Sequence, residues 1–391
     1  MVKKSYYQLS TLEFNKYLEQ LKNESTTLHF FKSTSTPYFL SINQEINLLI
    51  VDLHKKQLEL DHLYKSLPAY QMRMIKETCM LDEIQSTNKT ENIYSTRSDI
   101  FGIVNNVKSI HNRKIISIIH SYDLLNELSK NNIEELSQVR ELYEMLMDHA
   151  YESSKDKIDG IYFRKNKVHI MNGIKVVHTG FYPEENIIQA MEEYLQVIND
   201  PNLDIYLRIL ITHFMFETIH PYYDGNGRCG RFLMSLKLNH EESTLFAYCI
   251  ASSINANKSK YYKALESARD IHEFGCINDY ILSLGKILLD GMNHMILDIQ
   301  QKLQSYQSIK ETLVLDHLTK SEKIIYDHLL LASLFTYFGI SNEQIIEDTK
   351  ISKRTLITTM NKFRELNLLD DLKLGKITYH KLKGITNDFV G

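Results

Sequence analysis

The chain has 391 residues, with 45 Lys and Arg against 49 Asp and Glu and a formal net charge of −4. This balance gives no global basic field of the kind that nucleic-acid or membrane-surface proteins use, and no stretch approaches the ~20 apolar residues of a membrane span. The four cysteines lie far apart without a C-x-x-C pair, so neither a zinc site nor a disulfide framework is indicated. We expect a cytoplasmic protein of two or three domains with no membrane partner.

Apolar residues recur at helical spacing along most of the chain, which predicts a mostly α-helical fold. The predicted helices include residues 46–67, 134–151, 186–198, 205–219 and 280–303. Residues 205–219 are strongly apolar, so we expect a buried helix that ends at His220-Pro221. Residues 159–181 contain β-branched residues and an Asn172-Gly173 pair, which predicts a β-hairpin.

Residues 319–391 are predicted to form a separate module. Residues 321–334, 342–350 and 353–366 have helical spacing, Ser341 is a candidate N-cap, and residues 372–381 are typical of two short strands around Gly375. This order of elements is the winged helix-turn-helix pattern.

The third helix of this module is the presumed recognition helix for DNA. Beside one acid, Glu365, it carries the polar residues Lys353, Arg354, Thr355, Thr358, Thr359, Asn361, Lys362 and Arg364. Acidic and basic residues nearly balance over the module, which gives little affinity for phosphates. Dimerisation or protein docking therefore stands beside DNA binding as its role.

The most informative segment is HPYYDGNGRCGR at residues 220–231. His220 can accept a proton near neutral pH, as a hydroxyl nucleophile attacking phosphorus requires. Asp224 is a hard oxygen ligand suited to Mg²⁺ shared with phosphate oxygens. In Gly225-Asn226-Gly227, two residues that tolerate positive φ flank a polar one, so consecutive backbone N–H groups can converge on an anion.

The apolar run that follows predicts a helix beginning near Arg228, whose N-terminus would favour the same anion. Arg228 and Arg231 are three residues apart, share a face of that helix and can clamp the outer phosphates of a nucleotide. Each element alone has an ordinary explanation as a structural histidine, a turn or a solvated helix start. Their joint spacing favours a phosphate-handling site.

HPYYDGNGRCGR resembles the signature of the Fic (filamentation induced by cAMP) family, H-x-F-x-[DE]-G-N-G-R-x-x-R, and departs from it only at Tyr222, where the family usually has Phe. The resemblance implies a Fic-type helical core with a small β-hairpin flap at residues 96–300. An N-terminal helical region at residues 1–95 would precede this core, and a linker helix at residues 301–318 would follow it. Gly227 argues against the kinase-like branch of the superfamily, which carries Lys there.

The resemblance also implies a reaction, namely AMP transfer from ATP to a Ser, Thr or Tyr hydroxyl of a target protein or of the chain itself. His220 would be the base and Asp224 the Mg²⁺ ligand. The phosphate-binding residues implied are Gly225, Asn226 and Gly227 for the α-phosphate and Arg228 and Arg231 for the outer phosphates.

Thr87, Glu91 and Asn92 fit the [ST]-x-x-x-E-[GN] inhibitory motif that Fic proteins can carry ahead of the core. In a helix Thr87 and Glu91 share one face, and we predict that Glu91 pairs with Arg231. That pairing would occupy the guanidinium that the γ-phosphate needs and would misalign ATP for attack. A solvated glutamate at a polar helix end is the ordinary alternative, and Thr90 departs from the apolar residue that relatives often carry there.

Two further segments resemble Fic features. The hairpin at residues 159–181 resembles the flap, which holds a target segment by strand addition; a purely structural hairpin is the alternative. Tyr262 of the Tyr261-Tyr262 pair stands where relatives often have a tyrosine near the adenine, with a core aromatic pair as the alternative. Arg269 stands where some relatives carry Asn, which leaves base recognition open.

Two classes of function follow. The first is a protein adenylyltransferase that is autoinhibited by Glu91. The second is a DNA-binding transcriptional regulator whose Fic core senses a nucleotide. Removal of AMP from a modified protein is a subsidiary alternative, and the target protein and a homodimeric state stay open.

Overall fold

The computed structural model describes residues 2–31, 37–105, 113–147, 158–172, 175–312 and 317–385. Over these residues the chain is mostly helical and contains three small antiparallel sheets. The predicted mostly α-helical fold with a small hairpin is therefore confirmed. None of the described helices combines the length and the apolar character that a bilayer crossing requires.

The N-terminal region contains helices and, in addition, one β-hairpin. The sequence did not predict the hairpin. Its elements are α1 (Val2–Gln8), α2 (Thr11–Asn23), β1 (Thr27–Phe30), β2 (Tyr38–Ser41), α3 (Gln44–Lys65) and α4 (Ala69–Thr90). Side-chain caps begin two of the helices: Ser10 forms a capping box with Glu13, and Asn43 caps α3. Phe39 ties the hairpin to a distant part of the chain, because its N–H donates to Gly275 at 2.8 Å.

The central region carries the flap-like hairpin and most of the core. Its elements are α5 (Arg97–Val104), α6 (Arg113–Asp123), α7 (Leu125–Leu128), α8 (Leu136–Met147), β3 (His169–Asn172), β4 (Lys175–Thr179), α9 (Glu184–Ile198), α10 (Ile205–Ile219), α11 (Asn226–Glu242), α12 (Ile250–Ala256), α13 (Lys258–Ala268) and α14 (Asn278–Thr312). The predicted boundary between residues 300 and 301 falls inside α14, so the linker continues the last core helix. Residues 148–151 of the predicted helix and Gly173 of the predicted hairpin turn lie outside the described residues.

Helix α10 is the centre of the fold, because every one of its residues is buried. Its N-terminus is capped by Asp204, which accepts a hydrogen bond from Tyr206 N at 2.8 Å. Helices α3, α9, α11 and α14 pack around it. An apolar helix surrounded on all sides gives a rigid platform for the residues at its C-terminal end.

The C-terminal module has the predicted order of elements. These are α15 (Lys320–Phe335), β5 (Ile340–Ser341), α16 (Asn342–Thr349), α17 (Lys353–Glu365), β6 (Leu369–Leu374) and β7 (Ile377–Leu382). The sheet order is β5-β7-β6, and Ser341 caps α16 in a capping box with Gln344. Its identification as a winged helix-turn-helix stays a prediction.

The polar face of α17 is smaller than the sequence suggested. Thr359 is buried, so its proposed place on a DNA-facing surface is wrong, because it lies on the side of the helix that packs on the module. Lys362 pairs with Glu322 at 2.8 Å, and Arg364 pairs with Asp371 at 2.7 Å. Lys353 and Arg354 at the start of the helix are exposed.

Candidate active site

The loop at residues 220–225 joins the buried helices α10 and α11. Helix α10 stops because His220 takes the left-handed conformation with φ 52°. Gly225 precedes α11 with φ 75°, and a Cβ there would lie 2.6 Å from Met147 Sδ, so a glycine is required. The helix therefore begins at Asn226, two residues before the predicted start near Arg228.

His220 is anchored through its backbone and leaves its imidazole for chemistry. Its carbonyl oxygen accepts hydrogen bonds from Arg164 Nε at 3.0 Å and Nη2 at 2.8 Å. Within the described ranges, Nδ1 of the imidazole has no hydrogen-bond partner. Burial, followed by the charges of Arg269 and Arg164 and by His178, lowers the pKa of His220 to about 3. The imidazole is therefore neutral at physiological pH and able to accept a proton.

Aromatic stacking and an amide clamp hold the loop from below. Tyr222 is fully buried and stacks on Tyr143 with ring centroids 3.5 Å apart. Asn226 Oδ1 accepts from Tyr222 N at 2.9 Å, and its Nδ2 donates to Tyr222 O at 2.8 Å. The side chain of Asn226 thus fixes the shape of the loop, and its amide is occupied by backbone groups. The hydroxyl at position 222, where the Fic signature has Phe, donates to Val139 O at 3.4 Å.

Asp224 and Arg228 lie on the same side of this loop. Asp224 is half-exposed; its Oδ1 accepts from Gly225 N at 2.7 Å, and its Oδ2 lies 3.5 Å from Arg228 Nη2. Arg228 is buried, and its Nε and Nη1 have no partner among the residues that the structure describes. Each unpaired buried donor costs about 1–3 kcal/mol. A guanidinium held in this way is suited to accept an anion.

Arg231, the last residue of the signature, is hydrogen-bonded to residues at the C-terminal end of α4. Its Nη2 donates to Glu91 Oε1 at 2.8 Å and to Thr87 O at 3.2 Å, and its Nε donates to Thr87 Oγ1 at 3.1 Å. Asn92 ends this helix in the left-handed conformation, with φ 59°, and accepts from Lys258 Nζ at 3.2 Å. The structure thus brings together the three residues of the predicted inhibitory motif and their predicted partner.

One cavity of about 430 Å³ brings part of this site together, whereas Asp224, Gly225, Asn226 and Arg228 are not among its lining residues. The lining residues that the sequence singled out are His220, Gly227, Arg231, Glu91, Asn92 and Tyr262. Gly227 lies so close to the inhibitory helix that a Cβ there would be 2.1 Å from Glu91 Oε1. Ile170, Met171 and Val177 of the hairpin form an apolar wall.

The two neighbouring tyrosines separate into different environments. Tyr261 is buried, its hydroxyl lies 2.8 Å from His213 Nε2, and it also lines the cavity. Tyr262 is 41% exposed and lines the cavity, with its hydroxyl donating to Thr90 O at 3.4 Å. Tyr262 is the more exposed of the two and is therefore the better placed to meet a nucleotide base.

Glu217 and Arg269 line the same cavity. The sequence motifs did not indicate Glu217, and they assigned no role to Arg269. Glu217 is buried, and burial followed by the Glu91 charge raises its pKa to about 7. Arg269 has an Nε and an Nη2 that are buried without a partner in the described part of the chain. A signal for Glu217 existed, since it is the one carboxylate in the apolar run of residues 205–219.

Within the described residues, no group of three or more His, Cys, Asp or Glu side chains could hold a metal ion. Asp224 is the one carboxylate of the loop at residues 220–225. Its half-exposed side chain suits a cation that takes most of its ligands from a nucleotide and water, as Mg²⁺ does.

Comparisons with known proteins converge on one family. The Fic/DOC family model matches residues 133–238, which include the loop and helices α8 to α10. A curated protein of Aquifex aeolicus (strain VF5), named a probable protein adenylyltransferase, is 32% identical over 108 residues, 28% of this chain and 31% of that protein. The chain thus spans about a third of that relative's length.

A solved structure extends the likeness to nearly the whole chain. The crystal structure of a Fic family protein from Desulfovibrio desulfuricans G20 superposes with a TM-score of 0.56 at 18% identity, over 90% of this chain and 99% of that one. At this level of identity, the superposition shows a shared fold.

Proposed function

Because the chain carries a Fic/DOC family domain at residues 133–238, we propose that it is a protein adenylyltransferase that transfers AMP from ATP to a Ser, Thr or Tyr hydroxyl. The observation that carries this proposal is the shared cavity of His220, Gly227, Arg231 and Tyr262. His220 can accept the proton of the target hydroxyl. Gly227 at a helix start and the Arg231 guanidinium suit the phosphates of ATP. The exposed ring of Tyr262 suits the adenine. The substrate protein is another protein or the chain itself.

In this reaction the hydroxyl oxygen of the target attacks the α-phosphorus of ATP. The proton of the hydroxyl passes to the neutral His220, the bond from the α-phosphorus to the bridging oxygen breaks, and pyrophosphate leaves. The pKa of His220 is low before ATP binds, and the negative phosphates raise it by favouring the imidazolium. Arg228 and Arg231 hold the outer phosphates as charge accumulates on the leaving group.

Asp224 is the proposed ligand for Mg²⁺. Its carboxylate is half-exposed beside Arg228, so it can share a cation with phosphate oxygens. When bound, Mg²⁺ would neutralise charge on the pyrophosphate leaving group. Asp224→Asn should therefore raise the Mg²⁺ concentration that half-maximal activity requires.

We further propose that this structure represents an inhibited state. Glu91 and Thr87 together make three hydrogen bonds with the Arg231 guanidinium, which the γ-phosphate needs in the active state. ATP that cannot reach Arg231 binds with its α-phosphorus displaced, and an error of about 1 Å can reduce the rate about 100-fold.

DNA binding by the C-terminal module is the second candidate function. The exposed pair Lys353 and Arg354 at the start of α17 supports it. A gel-shift assay with the full chain tests it: binding that is lost in the Lys353→Ala, Arg354→Ala double variant supports this function, and no shift at low salt refutes it.

The decisive experiment incubates the pure protein with Mg²⁺ and α-labelled ATP. We expect label on protein for Glu91→Gly at several times the wild-type rate, and none for the Glu91→Gly, His220→Ala double variant. Absence of His220-dependent label in Glu91→Gly, on the chain itself and on lysate proteins, refutes the adenylyltransferase. Bound ATP without label would favour the nucleotide sensor. Release of AMP from a labelled protein by wild type and not by Glu91→Gly would favour the reverse reaction.

A further inference from the structure

A second and larger cavity, of about 860 Å³, adjoins the active-site cavity. Val177 of β4 and Arg269 line both cavities, so they form the wall between them. Gly180, which follows β4, lines the larger cavity and lies directly against the proposed base, because a Cβ there would be 3.0 Å from His220 Cβ. A molecule in the larger cavity is therefore next to the reacting group.

Strand β4 offers this cavity an open edge. Among the described residues it pairs with β3 alone, and residues 177–180 line the cavity. An edge strand presents unpaired backbone groups to which an extended segment can add. The shape of the site thus suits an extended segment of a target protein.

The charges around the cavity favour an acidic segment. The ammonium groups of Lys22 and Lys167 lie 5.6 and 4.9 Å from the ring centroids of Phe39 and Tyr182, and neither has a carboxylate partner in the described ranges. Arg269 adds a guanidinium with two buried nitrogens that lack partners there.

The two carboxylates that line the cavity are already engaged. Glu193 accepts from Phe31 N at 2.9 and 3.0 Å. Asp270 accepts from His272 N at 2.9 Å. Lys22 and Lys167 have no carboxylate partner in the described ranges, and the two carboxylates of this cavity are occupied, so a carboxylate from outside is the ligand that these two ammonium groups lack.

We propose that this cavity docks an extended target segment that carries Asp or Glu near the modified hydroxyl, with Arg269, Lys167 and Lys22 reading the acid. This inference rests on the proposed protein adenylyltransferase function and names its substrate class. Arg269 connects the two sites, because it faces both the docked segment and the nucleotide cavity.

The test uses the Glu91→Gly chain and an array of random peptides, each with one Ser, Thr or Tyr, scored for binding and for label from α-labelled ATP. We expect at least tenfold enrichment of Asp or Glu at a fixed distance from the hydroxyl among bound peptides. Lys167→Glu should reverse this preference toward Lys and Arg. Lys130→Glu, on a lysine outside the cavity that pairs with Glu127, should leave it unchanged.

Binding without acidic enrichment, no peptide binding, or the same preference in Lys167→Glu overturns the inference. Enriched acidic binding without His220-dependent label on any protein or peptide keeps the docking site and overturns the proposed function instead. The two failures are therefore distinguishable.

A separate observation concerns helix α4, which ends in Glu91. Its N-terminal half packs on the C-terminal module, where Arg73 Nη1 and Nη2 donate to the two carboxylate oxygens of Asp348 at 2.8 and 2.7 Å. Tyr70 stacks on His328 with centroids 4.5 Å apart, and Thr78 Oγ1 donates to Phe335 O at 2.7 Å. The module thus holds the helix over its first half.

The contacts with the module continue towards the inhibitory end of α4. Tyr337 Oη donates to Asp82 Oδ2 at 2.7 Å, and Arg97, 4.3 Å from the Tyr337 ring centroid, donates to Asp82 Oδ1 at 2.6 Å. The core holds the helix as well, because Glu83 accepts from Ala251 N at 2.7 Å. Asp82 is five positions before Thr87, so a shift of the helix at the module displaces the residues that bind Arg231.

We infer that the C-terminal module clamps the inhibitory helix and that loosening the module activates the enzyme. The Arg73–Asp348 pair is the place to test it, since both partners are charged and they belong to different regions of the chain. This second inference also rests on the proposed function, so it needs a readout besides activity.

Asp348→Arg should raise labelling several-fold towards the Glu91→Gly rate, and Arg73→Asp with Asp348→Arg should return it to wild type. Hydrogen exchange of residues 83–91 should rise in the single variant and fall back in the double one. Arg364→Asp, which breaks the pair with Asp371 inside the module, is the matched control and should change neither readout.

Unchanged exchange at residues 83–91 in a folded Asp348→Arg protein overturns the clamp. Additive activation by Asp348→Arg and Glu91→Gly also overturns it, because two changes that act through one contact cannot add. Increased exchange without label in any variant keeps the clamp and overturns the adenylyltransferase.

Discussion

Replacing Glu91 by Ala should make ATP bind more tightly while making the protein less stable. Arg231 is 1% exposed and Glu91 is 29% exposed, with 2.8 Å between them. Breaking a fully buried ion pair costs about 3–5 kcal/mol. Because Glu91 is partly solvated and Arg231 keeps its two bonds to Thr87, we expect a loss of about 1–3 kcal/mol in unfolding free energy.

The same interaction is what the γ-phosphate must displace, so its removal should strengthen ATP binding by about 5–150-fold. The gain should be absent for AMP, which has no γ-phosphate to reach Arg231. Calorimetric titration of both nucleotides measures the difference directly. At saturating ATP the variant should also gain about 1.4 kcal/mol of ligand-induced stability for each tenfold in affinity.

Glu127→Ala is the matched control, because Glu127 is an exposed glutamate that pairs with Lys130 and lies outside both α4 and the active-site cavity. It should leave both nucleotide affinities unchanged. Equal tightening of ATP and AMP by Glu91→Ala, or no change in either, would refute competition for Arg231.

The remaining predictions concern Tyr262 as a contact of the adenine ring, His220 as the proton acceptor, and Glu83 in the interior of α4. Because the Tyr262 ring would stack on the adenine, Tyr262→Ala should weaken ATP binding by about 1–3 kcal/mol, whereas Tyr262→Phe should keep an ATP affinity within about threefold of wild type. Equal losses of ATP affinity in the two variants, measured by calorimetry, would contradict stacking. Because the pKa of His220 is lowered to about 3, kcat/KM should show no His220 limb near pH 6.5, and an NMR titration of the His220 ring with a midpoint near pH 6.5 would contradict it. The neutral His220 side chain makes a contribution to the free energy of unfolding that is fully present above about pH 6.5 and is lost as the pH falls towards 3. The free energies of unfolding measured in urea at pH 7 and pH 5 should therefore differ less in His220→Asn than in wild type. Glu83→Ala should cost about 2–5 kcal/mol in urea unfolding, because it strands the buried N–H groups of Ala251 and Ser252, and a loss under 1 kcal/mol would count against that role.

The helices that carry the site were predictable because their patterns are strong. Residues 205–219 are apolar on all faces, which is the pattern of a surrounded helix, and α10 spans those residues. The start of α11 was placed two residues late, since a left-handed Gly225 can cap a helix without any side-chain signal. The β1–β2 hairpin was missed because its strands have four residues each and are separated by seven residues of sequence.

Side-chain environments were harder to predict than helix positions. Tyr261 and Tyr262 are neighbours in sequence and both line the cavity, but about 100° of helical rotation leaves the first buried and the second exposed. Glu217 was not predicted as a site residue, because one acidic residue in an otherwise hydrophobic segment does not change the prediction of a buried helix. The contacts between α4 and the C-terminal module join residues more than 250 positions apart, such as Arg73 and Asp348, and no local pattern reports them.

Gly227 has a consequence for how such an enzyme can change. A side chain at this position would collide with the Glu91 carboxylate, at 2.1 Å for the first carbon alone, so it would displace that carboxylate from Arg231. It would also crowd the place where the α-phosphate is expected, so the released enzyme would gain nothing. Loss of restraint and loss of catalysis are thus tied together at this residue, and an overactive form has to arise on the helix or on the module that holds it.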